Sequence, residues 1–303
     1  MAISRAQLVK ELEPGLNALF GLEYKKYENQ HAEIYTSESS DRAFEEEVML
    51  SGFANASVKQ EGAGINYDDA QETFTARYTH ETIALAFAIT EEAIEDNLYD
   101  RIASRYTKAL ARSMSNAKQV KAVEPLINGL PTTDNFDSGD GVSLFSTAHP
   151  TIAGTFKNTL STQADLNETS LEQALTDIAA MSDERGLRIA ARGVKMIIPS
   201  ASQFTAERLM KSQGRTATAD NDINAIVSMG MIPQGYRVNN YLTDTDAFYI
   251  ITDIPNGMKM FNRAPLTTAM EGDFDTGNVR YKARERYSFG VSDPRGIFGS
   301  EGA

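Results

Sequence analysis

The residues best placed to do chemistry lie in one loop-rich passage, residues 128–155. Ser143, Ser146 and His149 stand close together there, and a serine with a histidine is the usual nucleophile and general base of a hydrolase. The nucleophile elbow of many such enzymes, G-x-S-x-G, is absent from the sequence. The passage therefore predicts a loop ordered by its apolar residues, and a hydrolase that uses Ser146 and His149 is the alternative.

The same passage carries three aspartates, Asp134, Asp137 and Asp140, in the sequence DNFDSGDG. Their spacing differs from that of an EF-hand calcium loop, and the distal bidentate glutamate is missing. The chain has no cysteine, which excludes thiolate ligands, and its three histidines are widely separated. We therefore predict a solvated acidic turn, with no metal site, no cofactor and no catalytic residues.

The most unusual pattern is a run of basic residues in NVRYKARERYSFG, residues 278–290. The bases fall at every second position, so a β-strand would place them all on one face, where they repel each other. The chain as a whole is acidic, with a formal net charge of -13. This basic strip therefore calls for an explanation; its members are Arg280, Lys282, Arg284 and Arg286.

The composition excludes several classes of function. A length of 303 residues allows about two domains and a sizeable core. The net negative charge argues against a nucleic-acid-binding protein, because that affinity comes from clustered bases that neutralise phosphates. No apolar run approaches the roughly 20 residues that cross a bilayer, and the N-terminus lacks the apolar core of a secretion signal. We expect a globular protein that is made and used inside a cell.

The N-terminal part predicts a helix followed by an arm. Leu8, Leu12 and Leu16 form one apolar stripe, and Pro14 suggests that the helix is split into two short pieces. Residues 28–48 are polar and acidic, with little to anchor them in a core. This arm is predicted either to be solvated and partly disordered or to become ordered only against a partner.

Residues 56–89 predict a long β-hairpin. Apolar and polar residues alternate in two runs, Phe74–Tyr78 and Ile83–Ile89, and the phase changes after Thr79, which indicates a bulge or a change of environment. The sequence NYDDAQ, residues 66–71, predicts the turn. Such a hairpin reaches about 35 Å and would be marginally stable alone, so we expect it to lie on another surface.

The next segment predicts a long helix. Apolar residues recur at every fourth position from Ile94 to Met114, after an N-cap at Thr90, and Pro125 marks the predicted end. A helix from about Glu91 to Glu124 would be about 50 Å long. Most helices of globular proteins are about 11–12 residues long, so this one indicates an elongated molecule built along it.

The remainder predicts a mixed arrangement of helices and strands. Leu171, Leu175 and Ile178 lie on one stripe of a helix that Thr169 or Ser170 would cap. A short helix is predicted at residues 203–212. The predicted strands are residues 194–200, 236–242 and 247–254, followed by the basic strip and a closing segment.

The order of these parts resembles that of the major capsid protein of tailed double-stranded DNA phages, which has the Hong Kong 97 fold. Four segments resemble segments of that family in amino-acid sequence: AFAITEEAIEDN (86–97), DGVSLFSTAHP (140–150), VKMIIPS (194–200) and DPRGIFGS (293–300). The second is similar to a segment of the Mu-type major head subunits, the closest members. The resemblance extends from about Glu47 to Ser300.

This resemblance implies an α+β fold in which an extended loop lies on a neighbouring subunit and a spine helix supports a peripheral domain. An axial domain would cluster around the five-fold and six-fold axes of a shell. The implied divisions are residues 1–56 for the N-terminal helix and arm, 57–89 for the extended loop, 90–159 for the peripheral domain with the spine helix, 160–268 for the axial domain and 269–303 for the returning strands of the peripheral domain.

The resemblance also implies the function. The chain would be a structural major head protein, not an enzyme, that self-assembles as pentamers and hexamers into an icosahedral shell enclosing the phage genome. It implies a scaffolding protein and a portal as partners, double-stranded DNA enclosed without specific binding, no membrane, and a virion subunit made in the cytoplasm of the bacterial host. An encapsulin-like shell protein of a cellular nanocompartment is the alternative.

The basic strip then has three possible roles. As a subunit interface it would face acidic residues of a neighbour and set the register of assembly. It could instead be a solvated face or pair within its own subunit, or it could contact packaged DNA. Lys59 lies where some relatives form a lysine–asparagine crosslink, but no crosslink is predicted. The candidate interface residues are Arg280, Lys282, Arg284, Arg286, Glu45, Glu46, Glu47, Asp68, Asp69 and Lys59.

Overall fold

The computed structural model describes residues 5–62, 64–90, 92, 99–131, 136–214, 222–273 and 277–303. None of the helices within these ranges is both long enough and apolar enough to cross a membrane. The helices are α1 (Arg5–Tyr24), α2 (Tyr99–Asn128), α3 (Glu168–Ala179), α4 (Gln203–Lys211) and α5 (Ala225–Met229). The strands are β1 (Thr36–Ser39), β2 (Phe44–Leu50), β3 (Glu72–Thr79), β4 (Glu81–Ile89), β5 (His149–Thr151), β6 (Gly154–Phe156), β7 (Gly193–Ile198), β8 (Tyr236–Val238), β9 (Phe248–Thr252), β10 (Met258–Gly272), β11 (Val279–Val291) and β12 (Ile297–Ser300).

The molecule is built on two four-stranded sheets. The first has the order β1-β10-β11-β4, and α1 and α2 pack against one of its faces through a cluster that includes Phe20, Met114 and Tyr281. The second has the order β12-β9-β7-β8, and its core includes Leu171 of α3 and Phe298 of β12. Two smaller pairs, β2-β3 and β5-β6, complete the strands. The predicted mixture of helices and sheets is confirmed.

The predicted long helix is confirmed over its described part, α2, which has 30 residues and is about 45 Å long. Its predicted cap and first turns, at 90–98, lie largely outside the described residues. The prediction that Pro125 ends the helix is wrong, because Pro125 lies inside it. The chain leaves the helix after Asn128, where the N–H of Gly129 donates to the carbonyl of Pro125 at 3.1 Å.

The buried face of α2 follows the true helical period. Leu110, Met114 and Val123 are buried as predicted, whereas Tyr106 and Val120 are exposed. A repeat of exactly four residues drifts around a helix of 3.6 residues per turn, so its members cannot all face one core. The stripe therefore contains the core positions but also two surface positions.

The N-terminal predictions need correction. The helix is not split, since α1 is continuous through Pro14. The arm is not unanchored either, because Ile34 and Tyr35 are buried in the core and the hydroxyl of Tyr35 donates to the carbonyl of Ala122 at 2.6 Å. His31 is also buried, and Gln119 of α2 accepts its backbone N–H. These partners are about 90 residues away along the chain, so the local sequence gives no sign of them.

The long hairpin exists, but its arms are not those predicted. Its first strand is β2, which pairs antiparallel with β3, and its tip is a turn at Glu61 and Gly62 rather than at residues 66–71. The change of phase after Thr79 is confirmed as a change of sheet, because β4 pairs with β11 and not with β3. The part between the two strands, residues 51–71, is named the distal loop below.

Two other predictions differ in detail. The N-cap of α3 is Asn167, whose side chain accepts the N–H of Ser170, while the hydroxyl of Ser170 accepts the N–H of Asn167. The predicted cap residue is thus the reciprocal member of the capping box. The closing strand β12 joins the second sheet beside β9, because Phe298 is fully buried in its core. The strands predicted at 194–200 and 247–254 and the helix at 203–212 are confirmed.

Candidate assembly surfaces

The basic strip lies on β11, in the middle of the first sheet. Arg280, Lys282 and Arg284 are exposed and Arg286 is half-buried, so all four point to the face away from α1 and α2. Arg280 donates to a carboxylate oxygen of Asp273. The other three make no ion pair with any residue in the described ranges. The strip is therefore a surface whose positive charge is largely uncompensated within the subunit.

Small residues flank the strip on the neighbouring strand. In the register of β4 with β11, Ala88 lies beside Arg280, Ala86 beside Lys282 and Ala84 beside Arg284. All three alanines are exposed. Because methyl groups do not screen the basic side chains, this part of the sheet is flat and accessible up to its edge.

The opposite face of the same strand is buried and contains an acid. Glu285 is 2% exposed and accepts a hydrogen bond from Nζ of Lys118 on α2 at 3.3 Å. Burial raises the pKa of Glu285, and the charge of Lys118 opposes that shift. Tyr281 and Ala283 pack beside it in the core. The strand therefore has one buried, mostly apolar face and one basic face that is largely exposed.

The three glutamates predicted as interface residues are engaged within the subunit. Glu47 accepts hydrogen bonds from Lys259 and from Ser292, and Glu45 accepts one from Ser40 at 2.7 Å. Glu46 points outward and lies 3.8 Å from Arg77 on β3. Lys259 is nearly buried and also contacts Glu38. These acids therefore fasten the base of the hairpin to β10 and to the C-terminal segment.

The two aspartates of the distal loop are less engaged. A carboxylate oxygen of Asp68 accepts the N–H of Ala54 at 2.7 Å, and this bond lowers the pKa of Asp68. Arg185 lies 4.0 Å from Asp68 and donates to the carbonyl of Asp69 at 2.6 Å. Within the described residues, the carboxylate of Asp69 makes no hydrogen bond and no ion pair. Lys59 is exposed and makes no ion pair within the described ranges.

The distal loop exposes apolar side chains that have no cover. Val58 is 94% exposed, Tyr67 is 96% exposed and Ile65 is 71% exposed. Phe53, and Leu50 at the end of β2, are each more than 60% exposed. A soluble monomer rarely leaves so many large apolar residues exposed in one region unless they meet a partner. Arg185 contacts the loop at Asp68 and Asp69, but these apolar side chains stay uncovered.

The loop-rich passage meets the C-terminus in a central charge cluster, formed by Asp140, His149, Glu184, Asp293 and Arg295. Nδ1 of His149 lies 2.6 Å from Asp140, and Nε2 lies 2.9 Å from Oδ1 of Asn158. The amide nitrogen of Asn158 donates to two carbonyls, which fixes that oxygen as the acceptor. Both ring nitrogens of His149 therefore have a hydrogen-bond partner inside the protein, and these two contacts fix the orientation of the ring.

Arg295 is the permanent cation of the cluster. It donates to Glu184 and to Asp293, its Nε donates to the carbonyl of Ser182 at 2.9 Å, and its guanidinium lies 4.2 Å from the ring centre of Phe156. Burial raises the pKa of Asp293, opposed by the charge of Arg295. The cluster thus joins the passage after α2, the turn after α3 and the C-terminal strands.

This geometry removes the hydrolase alternative. His149 is fully buried, and its two ring nitrogens lie within hydrogen-bond distance of Asp140 and Asn158, so neither nitrogen is directed at the hydroxyl of Ser146. Asp137 accepts the N–H groups of Gly139 and Gly141, as in a tight acidic turn. Asp134 lies outside the described residues. No group of acids and histidines that could hold a metal occurs in the described ranges.

Sequence reasoning missed the connections rather than the residues. The segments DGVSLFSTAHP and DPRGIFGS were both recognised as distinctive, and they supply Asp140, His149, Asp293 and Arg295 of the cluster. Glu184 gave no signal, since it lies in a polar turn after α3. A buried Arg needs acidic partners, and the segment DPRG itself supplies one of them, Asp293, two residues before Arg295.

Comparison with known proteins agrees with this architecture. The family model of phage capsid proteins matches residues 72–299, about three quarters of the chain. The chain belongs to this family. It is therefore a structural protein of a phage capsid shell and not an enzyme, and the encapsulin-like alternative is less favoured. A search of curated proteins finds no match.

Several solved structures are similar in fold. The capsid of an empty GTA particle has a TM-score of 0.58 at 12% identity, covering 90% of this chain and 89% of that one. A virus-like particle from Pyrococcus furiosus has 0.55 at 11% identity, covering 95% and 98%. The capsid of Myoviridae phage XM1 has 0.54 at 10% identity, covering 89% of each chain. At these identities the likeness concerns the fold alone.

Proposed function

We propose that the chain is the major head protein of a tailed double-stranded DNA phage, with the Hong Kong 97 fold and closest to the Mu-type subunits. It would polymerise into an icosahedral shell that encloses the genome. The observation that carries this proposal is the distal loop, whose Val58 and Tyr67 are more than 90% exposed at the end of a hairpin braced on a long-helix body. A subunit of this form gains cover for its apolar loop only from another copy.

The two sheets support a division into two domains. In this proposal residues 57–89 are the extended loop, with its pairing begun at β2, residues 90–159 and 269–303 form the peripheral domain around α2, and residues 160–268 form the axial domain. Two features refine these boundaries: β10 continues in the first sheet to Gly272, and β12 pairs in the second. The axial part would line the five-fold and six-fold axes of pentamers and hexamers.

The partners follow from the same proposal. A scaffolding protein and a portal would guide assembly in the cytoplasm of the bacterial host, and the DNA would be enclosed without specific binding. The net charge of -13 supports that last point, since an acidic inner wall lets a polyanion move beside it. At about 0.15 M salt the repulsion between subunits fades beyond about 8 Å, so local contacts can decide assembly.

The basic strip would be one side of a subunit interface, with Lys282 and Arg284 facing acids of a neighbour. Glu45 and Glu47 are weak candidates for that role, because both are already bonded within the subunit. Asp68 and Asp69 are better ones, since they lie on the exposed loop. Apolar burial of the loop would supply most of the affinity and the charges would set the register.

Electron microscopy of the purified protein tests the function. We expect closed polyhedral shells, or pentamers and hexamers that close when a scaffold is supplied, whereas compact monomers at all concentrations would contradict the proposal. A charge-reversed pair, Lys282→Glu with Arg284→Glu, tests the strip. The matched control is Lys25→Glu with Arg105→Glu, which changes the net charge equally at exposed positions just after α1 and on α2. Normal shells from the strip variant at every salt concentration would show that the strip does not guide assembly.

A further inference from the structure

The strand β4 is an open edge of the first sheet. It pairs with β11 on one side, and no other described strand pairs with it on the other. From Thr82 to Ile89 it reads TIALAFAI, with no charge, proline or glycine. Natural proteins protect such edges with lysines, prolines, bulges or covering segments, because an open edge invites another strand. None of these devices occurs in the sequence of β4, so the edge is suited to receive a strand.

The two faces of β4 differ in a way that selects the incoming strand. One face carries Ala84, Ala86 and Ala88 and continues into the basic strip. The other carries large apolar residues turned toward α2, and among them Leu85 is 46% exposed. A strand added at this edge would place alternate side chains beside the bases and beside Leu85. It should therefore alternate polar or acidic residues with apolar ones.

Building on the proposed self-assembly, we propose that the edge of β4 is filled by residues 64–69 of the distal loop of a second copy, added as a strand. This segment reads GINYDD. Ile65 and Tyr67 fall on one face of it and would pack beside Leu85. Asn66 and Asp68 fall on the other and would lie beside the basic strip.

The state of the loop supports this occupant. Within the described residues no backbone carbonyl accepts an N–H of residues 64–68, so these donors are open to pairing. The two halves of the loop are joined instead by side chains: Asn66 donates to Ser57 at 2.8 Å, and Asp68 accepts the N–H of Ala54. Residues 64–69 are all exposed to solvent, and the body of the subunit contacts them through Arg185, which donates to the carbonyl of Asp69. Addition of such a strand to a sheet edge is a common mode of peptide recognition.

A second copy of β4 is the competing occupant. Two such strands could pair antiparallel, with alanines against alanines and large residues against large ones. That arrangement would leave Ile65 and Tyr67 uncovered and would bring two basic strips toward each other without an acid between them. Insertion of the distal loop at this edge would cover Ile65 and Tyr67 and would at the same time bring Asp68 to the basic strip. A loop inserted head to tail also forms the ring that a capsomer requires.

Cysteine crosslinking tests the pairing, because the natural chain contains no cysteine. Directly opposed residues of paired strands have Cα atoms about 4.5–5.5 Å apart, within the range of a disulfide. We expect shells assembled from a mixture of an Asn66→Cys variant with an Ala84→Cys or Ala86→Cys variant to form covalent dimers on oxidation. The control is an Ile65→Cys variant, whose side chain would point to the other face and give at least several-fold less dimer.

The other outcomes are equally clear. Shells of the Ala86→Cys variant alone that become covalent dimers would identify β4 as its own partner and overturn the inference. Shells in which neither mixture crosslinks would overturn it too, while the proposed function stands. Failure of the unmodified chain to form shells would overturn the proposed function, and this inference with it. Hydrogen exchange adds an independent readout: peptides covering β4 and residues 64–69 should become protected together on assembly, and continued exchange in either one would contradict the pairing.

Discussion

The two ends of the hairpin differ sharply in how they are held. At the base, Tyr78 is buried against Phe261 and bonded to Ser292, and Glu47 is bonded to Lys259. At the far end, the residues from Gly52 to Ala70 that the structure describes are all exposed. The hairpin is therefore part of the core at its base and fully exposed to solvent in its distal loop.

This difference teaches how the subunit divides its stability. The contacts of the base exist in the isolated chain, so the direction of the hairpin is set before any partner arrives, which lowers the entropy lost on binding. The apolar area of the loop remains unused until assembly, when mass action with other copies stabilises it. Substitutions at the base should therefore change the stability of the subunit, and substitutions in the loop should change only its assembly.

The largest effect is expected at the central charge cluster. An Arg295→Met substitution leaves Glu184 buried without its cation, which typically costs about 3–5 kcal/mol of unfolding free energy. Chemical denaturation of the subunit measures the loss. The matched control is Arg77→Met on β3, whose exposed pair with Glu46 at 3.8 Å is worth at most about 1 kcal/mol. Equal losses in the two variants would contradict the distinction between a buried and an exposed ion pair.

Two glycines allow the same substitution at both ends. A Cβ at Gly290 would lie 2.6 Å from the ring of Tyr78, so Gly290→Ala should destabilise the subunit by about 1–3 kcal/mol. A Cβ at Gly64 of the distal loop meets no atom within 4 Å, so Gly64→Ala should leave the unfolding midpoint nearly unchanged. Thermal unfolding of the two variants compares them directly. A similar loss at Gly64 would mean that the loop packs on its own body.

The base should also respond to pH through His80, which lies between Ser40 and Ser288. Burial lowers the pKa of His80, with Arg286 and Arg263 adding to the shift and Glu45 opposing it. Below the ordinary histidine pKa of 6.5 the unfolded chain binds a proton at His80 more readily than the folded chain does. The free energy of unfolding should therefore fall as the pH drops below that value. A His80→Gln variant should lose this part of the pH dependence of the unfolding midpoint. An unchanged profile would exclude His80 as its source.

The smallest effect on the subunit is expected in the distal loop. A Tyr67→Ala substitution removes a side chain that is 96% exposed, so the unfolding free energy should change by no more than about 0.5 kcal/mol. Shell formation, followed by light scattering, should be strongly reduced because the apolar anchor is missing. Tyr67→Phe keeps the ring and should assemble normally. Normal assembly of the alanine variant would show that this side chain is not buried between subunits.

The same contrast explains what could be predicted from the sequence. The spine α2, the strands β7 and β9 and the one-sided basic strip follow from local periodicity, and all of them occur as expected. The strand β2 was missed because FEEEV looks solvated until Lys259 and Ser292 are brought to it from about 200 residues away. The turn of the hairpin was also placed wrongly. The residues at 66–71 have turn-forming types, but they lead into β3, and the turn is at Glu61 and Gly62.

The candidate surfaces were predictable to different degrees. Spacing alone placed Lys282 and Arg284 on one face, because alternation in a strand has a single outcome. The role of Glu45 and Glu47 could not be read from composition, since an acid on a strand can face either solvent or a buried lysine. The open edge of β4 was also hidden, because its true neighbour, β11, is nearly 200 residues further along the chain.

The helix α2 belongs to two cores at once. Its first half contributes Leu110 and Met114 to the cluster under the first sheet, and its last turns contribute Val123 and Leu126 to the cluster that reaches the second sheet. A displacement of one cluster must be transmitted by α2 to the other cluster, because the hydrogen-bonded helix backbone resists stretching. The subunit should therefore tilt as a rigid lever when its surroundings are strained, and denature in one concerted transition instead of shedding one half at a time.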